Sequence, residues 1–137
     1  MKLSLKVEYA CQVLAQLGYT AENKELPHIE DLAKAEAIPS NYLVQILNEL
    51  RTAGLINSRR GKQGGYALAR VPGEITVGDI VRAVEGDVLA HSGPGRGQSS
   101  EKTATVWAEV SGKFEALLNS ITVEDFMTTP AKEMWYI

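Results

Sequence analysis

Residues 40–68 read SNYLVQILNELRTAGLINSRRGKQGGYAL, and their hydrophobic period changes part-way along. In the first half, apolar residues recur every three or four positions, which predicts a helix that ends at Ala53. Ser40 is expected to cap this helix, and Gly54 to stop it. The predicted buried stripe of the helix consists of Leu43, Ile46, Leu47 and Leu50.

The second half of this stretch has a period of two, as β-strands do. We predict strands at 55–58 and 66–70, joined by the glycine-rich turn 59–65. A hairpin in this place, directly after a capped helix, is typical of the wing of a winged helix-turn-helix if another short helix precedes both.

Two helices are predicted before residue 40. Apolar residues in the range 3–17 follow helical spacing, and Gly18 is expected to end that first helix. Residues 19–27 are polar and predict a loop. A second helix is expected to start near His28 and to break at Pro39, because proline disfavours the helical conformation of the residue before it. These two helices supply the elements that must precede the helix of residues 40–53.

Further helices are predicted after the hairpin. Thr76 and Asp79 form a capping box for a short helix through Val84. Residues 90–102 show no apolar periodicity and are expected to be mobile. A longer helix follows, and its apolar stripe consists of Val106, Trp107, Val110, Phe114, Leu117, Leu118 and Ile121.

The predicted fold class is mainly α with a small β-hairpin: a winged helix-turn-helix domain plus a long C-terminal dimerisation helix. We expect the winged domain at 1–86, a flexible loop at 87–104, and the dimerisation helix with a tail at 105–137. Thr122 and Asp125 should cap a last short turn.

The charge of the chain is distributed unevenly. The net charge is -3 over 137 residues. Residues 40–70 nevertheless carry a net +4, because Glu49 is the only acid among five bases, whereas residues 1–39 carry -2 and residues 71–137 carry -5. A basic middle between acidic flanks is typical of one cationic surface that binds nucleic acid, and the alternative is a solvated basic loop.

Side chains at the start of the helix of residues 40–53 suit the reading of DNA bases. Asn41 and Gln45 can make paired hydrogen bonds to adenine, and Val44 can pack on a thymine methyl group. Tyr42 can reach a phosphate, as can backbone amides near Ser40. We therefore predict that this is a recognition helix in the major groove.

The hairpin tip supplies cations for the DNA backbone. Arg59, Arg60 and Lys62 can lie along phosphates, and one arginine could enter a narrow minor groove. Gly64 and Gly65 are expected to allow positive φ and close approach to the phosphates. The full set of predicted DNA-contacting residues is Ser40, Asn41, Tyr42, Val44, Gln45, Arg51, Arg59, Arg60, Lys62, Gln63, Gly64 and Gly65.

Each of these features also has a simpler explanation. Helix pairs that resemble a helix-turn-helix are common, a Gly-Gly hairpin tip is often only a tight turn, and Asn41 and Gln45 could simply face water. A winged-helix module that contacts protein and has lost DNA binding is the alternative function. The combination of a capped helix and a basic hairpin, in this order, favours DNA binding over protein contact.

The chain resembles the Rrf2 family of bacterial regulators, which includes the IscR, NsrR and CymR types. The similarity covers roughly two-thirds of the sequence, including Lys6 to Ala10. It is carried by YLVQIL at 42–47, LRTAGLI at 50–56, SRRGKQGGYAL at 58–68, ITVGDIV at 75–81 and Glu85-Gly86. The resemblance implies a homodimer with crossed long helices, a pseudo-palindromic operator of double-stranded DNA, and usually repression.

Two departures from the family pattern matter. Members that bind an iron–sulfur cluster carry three cysteines before the dimerisation helix, whereas residues 87–105 contain none. A cluster would lack thiolate ligands, so we predict that no cofactor is bound. Val44 stands where the family often has glutamate, which should change the operator sequence.

The tail Met134-Trp135-Tyr136-Ile137 resembles that of the cluster-free repressors of cysteine metabolism. That similarity implies a role in sulfur or cysteine metabolism and O-acetylserine sulfhydrylase as a partner, contacted through Tyr136 and Ile137. The alternative is that Trp135, Tyr136 and Ile137 pack back on the core.

Other features exclude several classes of protein. Cys11 is alone and is expected to be buried and inert. His28 and His91 lack partners at ligand spacing, so no metal site is predicted, and no catalytic motif is present, so no enzyme is predicted. The sequence lacks an apolar run long enough for a membrane span and begins without a secretory signal, so we expect a cytoplasmic protein that does not bind membranes.

Overall fold

A computed structural model describes residues 3–87, 90 and 93–127. The elements in chain order are α1 (Leu5–Glu22), α2 (Ile29–Glu36), α3 (Ser40–Thr52), β1 (Ile56–Arg59), β2 (Gly65–Leu68), a 3₁₀ turn (Pro72–Glu74), α4 (Val77–Glu85), α5 (Ser100–Asn119) and α6 (Val123–Phe126). The fold is mainly helical with a two-stranded antiparallel hairpin, as predicted. The residues of the predicted tail, 134–137, lie outside the described residues.

One hydrophobic core joins α1, α3 and α4 and is closed by α2, the hairpin and α6. The stripe predicted for α3 is fully inside it, since all four of its residues are buried. Leu14 and Leu17 of α1, Leu32 of α2, Ile80 of α4 and Val123 of α6 are also almost completely buried. A core of this kind holds α2 and α3 in a fixed mutual position, which a helix-turn-helix requires.

The first helix is longer than predicted. Gly18 does not end α1, which continues to Glu22, so part of the predicted loop 19–27 is helical. Gly18 is buried, and a Cβ atom on it would lie 2.8 Å from the Sδ atom of Met127. The glycine therefore gives the chain after α6 room to approach α1, and this distant packing outweighs its local tendency to stop a helix.

The start of α3 differs from the prediction by one residue. Pro39 occupies the N-cap position, and Ser40 is the first helical residue and makes no capping hydrogen bond. The Pro39 carbonyl accepts hydrogen bonds from the N–H groups of Tyr42 and Leu43, at 3.1 and 2.9 Å. Proline fits this position because its fixed φ, here -57°, is compatible with the entry to a helix.

The end of α3 is a Schellman motif. Gly54 has φ +78°, its N–H donates to the Arg51 carbonyl, and the Leu55 N–H donates to the Leu50 carbonyl, both at 3.0 Å. Ala53 is the C-cap, so the prediction that Gly54 stops the helix is confirmed. The sharp turn sends the chain directly into the hairpin.

The hairpin pairs Ile56 with Leu68 and Arg59 with Gly65 in antiparallel register. β2 begins one residue earlier and ends two residues earlier than predicted. The Tyr66 N–H donates to the Pro27 carbonyl at 2.9 Å, which fastens the hairpin to the segment before α2.

The predicted capping box of α4 is confirmed. The Asp79 N–H donates to the Thr76 hydroxyl at 3.0 Å, and the Thr76 N–H donates to the Asp79 carboxylate at 3.0 Å. Burial acts to raise the pKa of Asp79, but the bonds from Thr76 and Arg82 and the charge of Arg70 outweigh it and hold the pKa below its ordinary value. The Asp79 carboxylate is thus part of the structure of this turn.

α6 packs on α1, and α5 packs on α4. α6 has the predicted Thr122–Asp125 capping box. The Val77 N–H donates to the Ile121 carbonyl at 2.8 Å, and the Val123 N–H donates to the Ile75 carbonyl at 2.9 Å. α5 begins at Ser100, within the predicted loop 87–104, and none of its residues is buried.

Candidate nucleic-acid interface

The outer face of α3 is polar and exposed. Asn41, Val44, Gln45 and Asn48 are all exposed, because the apolar residues between them point into the core. Val44 is an exposed large hydrophobic residue, with 47% of its surface accessible. Ser40 is exposed at the first turn of α3, where free amides carry partial positive charge. The face therefore presents amide groups and one apolar contact outward.

Tyr42 has a mainly structural environment. It is half-buried, and its ring meets the ring of Tyr9 in α1 edge-on, with centroids 5.5 Å apart and planes at 83°. Such pairs are worth about 0.5–1.5 kcal/mol beyond their buried area. The predicted phosphate contact by its hydroxyl stays a prediction, and the ring itself joins α3 to α1.

At the hairpin tip the cations are exposed, whereas the last two glycines are buried. Arg59, Arg60, Lys62 and Gln63 are exposed, whereas Gly64 and Gly65 are buried. The turn closes when the Gly64 N–H donates to the Gly61 carbonyl at 3.0 Å.

Gly64 and Gly65 serve the fold in a way the sequence did not reveal. A Cβ atom on Gly64 would overlap the Arg59 carbonyl, and one on Gly65 would overlap the Leu26 carbonyl. The expected positive φ occurs at Gly65, at +153°, but not at Gly64. The missing side chains make room for the protein's own backbone, and close approach to phosphates stays a prediction.

A groove of about 450 Å³ joins the hairpin to the start of α2 and the end of α3. Four predicted residues, Arg51, Arg59, Arg60 and Gly65, line it together with His28 and Glu30. The predicted residues of the first turns of α3 do not line this groove, and neither do the tip residues at 62 and 63.

Arg51 is oriented by two neighbouring side chains, of which Ser58 also lines this groove. Its guanidinium donates to the Asn48 side-chain oxygen at 3.3 Å and to the Ser58 hydroxyl at 3.5 Å. The sequence predicts a surface position or a phosphate contact for His28 and gives no signal for Glu30. The signal that could have found them is Tyr66, because its N–H bond to Pro27 brings the hairpin beside the start of α2.

Three cations of this face, Arg51, Arg59 and Arg60, share the groove with the acid Glu30. Within the described residues, Arg51, Arg59, Arg60 and Lys62 form no salt bridge. Some cations elsewhere are paired, namely Lys6 with Glu49 at 2.7 Å and Arg70 and Arg82 with Asp79. Unpaired charges gathered on one surface attract a polyanion.

Comparison with known proteins identifies the family. The Rrf2 family, described as "Iron-dependent Transcriptional regulator", matches residues 3–129. This chain belongs to the Rrf2 family. It is 37% identical over 130 residues to a Mycobacterium tuberculosis protein named as an HTH-type transcriptional regulator, covering 91% of this chain and 80% of that protein. It is 32% identical over 131 residues to IscR of Cronobacter sakazakii, covering 93% and 80%.

Solved structures of the family have the same fold. CymR of B. subtilis, described as a global cysteine regulator, matches with a TM-score of 0.76 and 28% identity over 92% of this chain and 95% of that one. IscR of T. potens matches with a TM-score of 0.71 and 33% identity over 99% and 97%. The chain is therefore a DNA-binding transcriptional regulator with a winged helix, not an enzyme. None of the helices in the described residues could cross a bilayer.

The family description names iron, and cysteine thiolates are the usual ligands of an iron–sulfur cluster. The sequence contains one cysteine, Cys11, which is buried in α1. Burial, with a smaller effect of Glu8, raises the pKa of the Cys11 thiol to about 11, which disfavours the thiolate that a metal needs. In the ranges 3–87 and 93–127, no group of three or more potential ligands is close enough to hold a metal ion.

Proposed function

We propose that this Rrf2 protein is a cytoplasmic repressor that binds a pseudo-palindromic operator as a homodimer and carries no iron–sulfur cluster. The observations that support this most strongly are the exposed cations of the hairpin, which Arg51 joins to the end of α3, and the exposed polar face of α3. The rest of the protein is acidic. These unpaired cations can neutralise DNA phosphates and release counterions, which favours binding to a duplex.

The proposed docking divides the contacts into two kinds. Asn41 and Gln45 hydrogen-bond adenine edges in the major groove, and Val44 packs on a thymine methyl group. Arg59, Arg60 and Lys62 lie along the phosphates, with one arginine in a narrow minor groove. The first kind specifies the sequence, and the second contributes salt-dependent affinity for any sequence.

Dimerisation is supported by α5. Trp107 is 55% and Leu117 56% exposed, and Val106 and Val110 of the same stripe are also exposed. A helix with such a stripe buries it against another element. A second copy of α5 is the partner that a two-fold symmetric operator requires.

The proposal of a cluster-free repressor rests on the single, buried cysteine. The structural similarity to a global cysteine regulator supports a role in sulfur or cysteine metabolism. Under that proposal, Tyr136 and Ile137 bind O-acetylserine sulfhydrylase. Calorimetry of the intact protein and of a chain lacking both residues tests this partner, and absence of binding by the intact protein would remove it.

The experiment that tests the proposed function is selection of bound sites from random double-stranded DNA with the purified protein, under oxidising and reducing conditions. The expected result is one inverted-repeat motif that is the same in both conditions. Absence of any enriched motif, or duplex binding that does not depend on salt, would favour a protein-contact module instead. A motif without symmetry would contradict the dimeric docking.

A further inference from the structure

A groove of about 560 Å³ runs along α1 and is open to solvent. Its volume lies within the range of about 300–1,000 Å³ that small-molecule sites occupy in proteins. Three of the residues that line it, Val7, Cys11 and Val77, are buried and give it an apolar base. Among the described residues, none of α3 or of the hairpin lines this groove, so it is separate from the candidate nucleic-acid interface.

Two exposed aromatic rings line the same groove. Tyr19 of α1 is 39% exposed, and Phe126 at the end of α6 is 41% exposed. Aromatic rings attract cations to their faces, most strongly where the cation loses water, and they are the usual partners of quaternary ammonium ligands. The rings therefore suit a ligand that is both apolar and positively charged.

Two carboxylates complete the lining: Glu8 of α1 and Glu36, the last residue of α2. The Gln12 side-chain amide donates to the Glu36 carboxylate and to its backbone carbonyl, both at 3.3 Å, which holds Glu36 beside α1. Burial raises the pKa of the Cys11 thiol, and the charge of Glu8 raises it further. The negative charge of Glu8 thus acts on the base of the groove.

The described lining of the groove contains no Lys, Arg or His. In the ranges 3–87 and 93–127, neither Glu8 nor Glu36 forms a salt bridge. A neutral ligand would leave these carboxylates without a countercharge, and an anion would be repelled by them. We propose that this groove is a binding site for a lipophilic organic cation, whose apolar body lies on the buried base and whose charge faces the carboxylates and aromatic rings.

Two ions of nearly equal size and shape but opposite charge, tetraphenylphosphonium and tetraphenylborate, test the proposal. Cys11 is the only cysteine of the chain and lines the groove, so its reaction with methyl methanethiosulfonate reports whether this place is occupied. At equal millimolar concentrations in sodium buffer, the phosphonium should slow the reaction at least about tenfold more than the borate, which corresponds to ~1.4 kcal/mol. Equal slowing by both ions, or no slowing by the phosphonium, would overturn the proposal.

Calorimetry of two double variants tests the role of the carboxylates. Glu8→Gln/Glu36→Gln keeps the shape of both side chains and should weaken tetraphenylphosphonium binding at least about tenfold. Glu25→Gln/Glu74→Gln removes the same charge from exposed residues outside the groove, and should change the affinity less than about twofold because salt screens distant charges. Equal losses in the two variants, with melting temperatures confirming that both are folded, would overturn the proposal.

The dependence on protein concentration distinguishes a small ligand from a second copy of the chain. Without added ions, the rate of the Cys11 reaction should be independent of protein concentration. A rate that falls as the protein concentration rises would show that a second copy covers the groove, which would also overturn the proposal.

Discussion

α3 and α5 are both amphipathic helices, but their apolar faces have opposite environments. α3 buries all four residues of its stripe in the core and turns amides towards solvent. α5 is longer, yet none of its residues is buried, and Trp107 and Leu117 are more than half exposed. α3 is therefore complete within one chain and offers a polar surface, whereas α5 packs Leu118 against the core but leaves much of its apolar surface exposed in the described part of the chain.

The largest expected effect comes from charges on the apolar face of α5. The double variant Val110→Asp/Leu117→Asp should be monomeric and bind a selected operator at least about 100-fold more weakly, because two linked half-sites give avidity of this order. Sedimentation velocity and gel shifts measure the two effects. Ala108→Asp, on the opposite face of the same helix, is the control and should leave both unchanged. A dimeric double variant with normal affinity would show that α5 is not the interface.

The next largest effect is expected at Gly65, which lets the hairpin pack closely against the backbone before α2. Gly65→Ala should lower the free energy of unfolding by about 2 kcal/mol, because the new Cβ meets the Leu26 carbonyl and the positive φ becomes strained. Urea unfolding measures this change. Gly97→Ala, which has open space around it, should change stability by less than about 0.5 kcal/mol. Equal stabilities for the two variants would contradict the packing described for the hairpin.

On the polar face of α3, Gln45→Ala should weaken binding to the selected operator by about tenfold, within the range of one base-reading pair. The loss should disappear on DNA whose matching base pair has been changed, since only direct readout depends on sequence. Quantitative gel shifts on both sequences measure this. A loss of the same size on both would assign Gln45 to the backbone instead.

The capping box of α4 gives a smaller, pH-dependent effect. Asp79→Asn should lower the free energy of unfolding by about 1 kcal/mol at pH 7, a typical value for a cap. Because the pKa of Asp79 is lower in the folded protein than in the unfolded chain, its carboxylate stabilises the fold above the unfolded pKa and loses this effect as pH falls through the folded pKa.

The difference between wild type and Asp79→Asn should therefore be smaller at pH 3 than at pH 7 in urea titrations. Glu74→Gln, an exposed acid nearby, controls for loss of a negative charge. A difference that is constant over this pH range would contradict an ionised Asp79 in the cap.

The smallest effect is expected at Cys11. Oxidation should change the operator affinity of the wild type by less than about twofold, because a buried thiol of raised pKa reacts poorly. Gel shifts with peroxide-treated and reduced protein measure this, with Cys11→Ser as control. A large loss in the wild type that is absent in Cys11→Ser would make Cys11 a redox sensor.

The sequence predicted local features well and distant ones poorly. The stripe of α3, the stop at Gly54 and the capping box at Thr76 depend on neighbouring residues, and all three are confirmed. The continuation of α1 past Gly18 could not be predicted, because it depends on Met127 far along the chain.

The candidate site shows the same division between local and distant features. The exposure of the basic side chains of the hairpin and of the amide side chains of α3 could be predicted from their spacing relative to the apolar residues. The groove that joins Arg51 and the hairpin to His28 did not, because it depends on the bond between Tyr66 and Pro27. The difference between Pro39 and Ser40 as cap is a matter of backbone geometry at a single residue.

The salt dependence of operator binding tests most directly whether the hairpin cations contact the DNA backbone. The triple variant Arg59→Ala/Arg60→Ala/Lys62→Ala should reduce the slope of log affinity against log salt by about 3, since each neutralised phosphate contributes about 0.9. The variant should remain dimeric and equally stable, because the three side chains are exposed and form no ion pair within the described residues. A slope identical to that of the wild type would show that DNA is bound elsewhere.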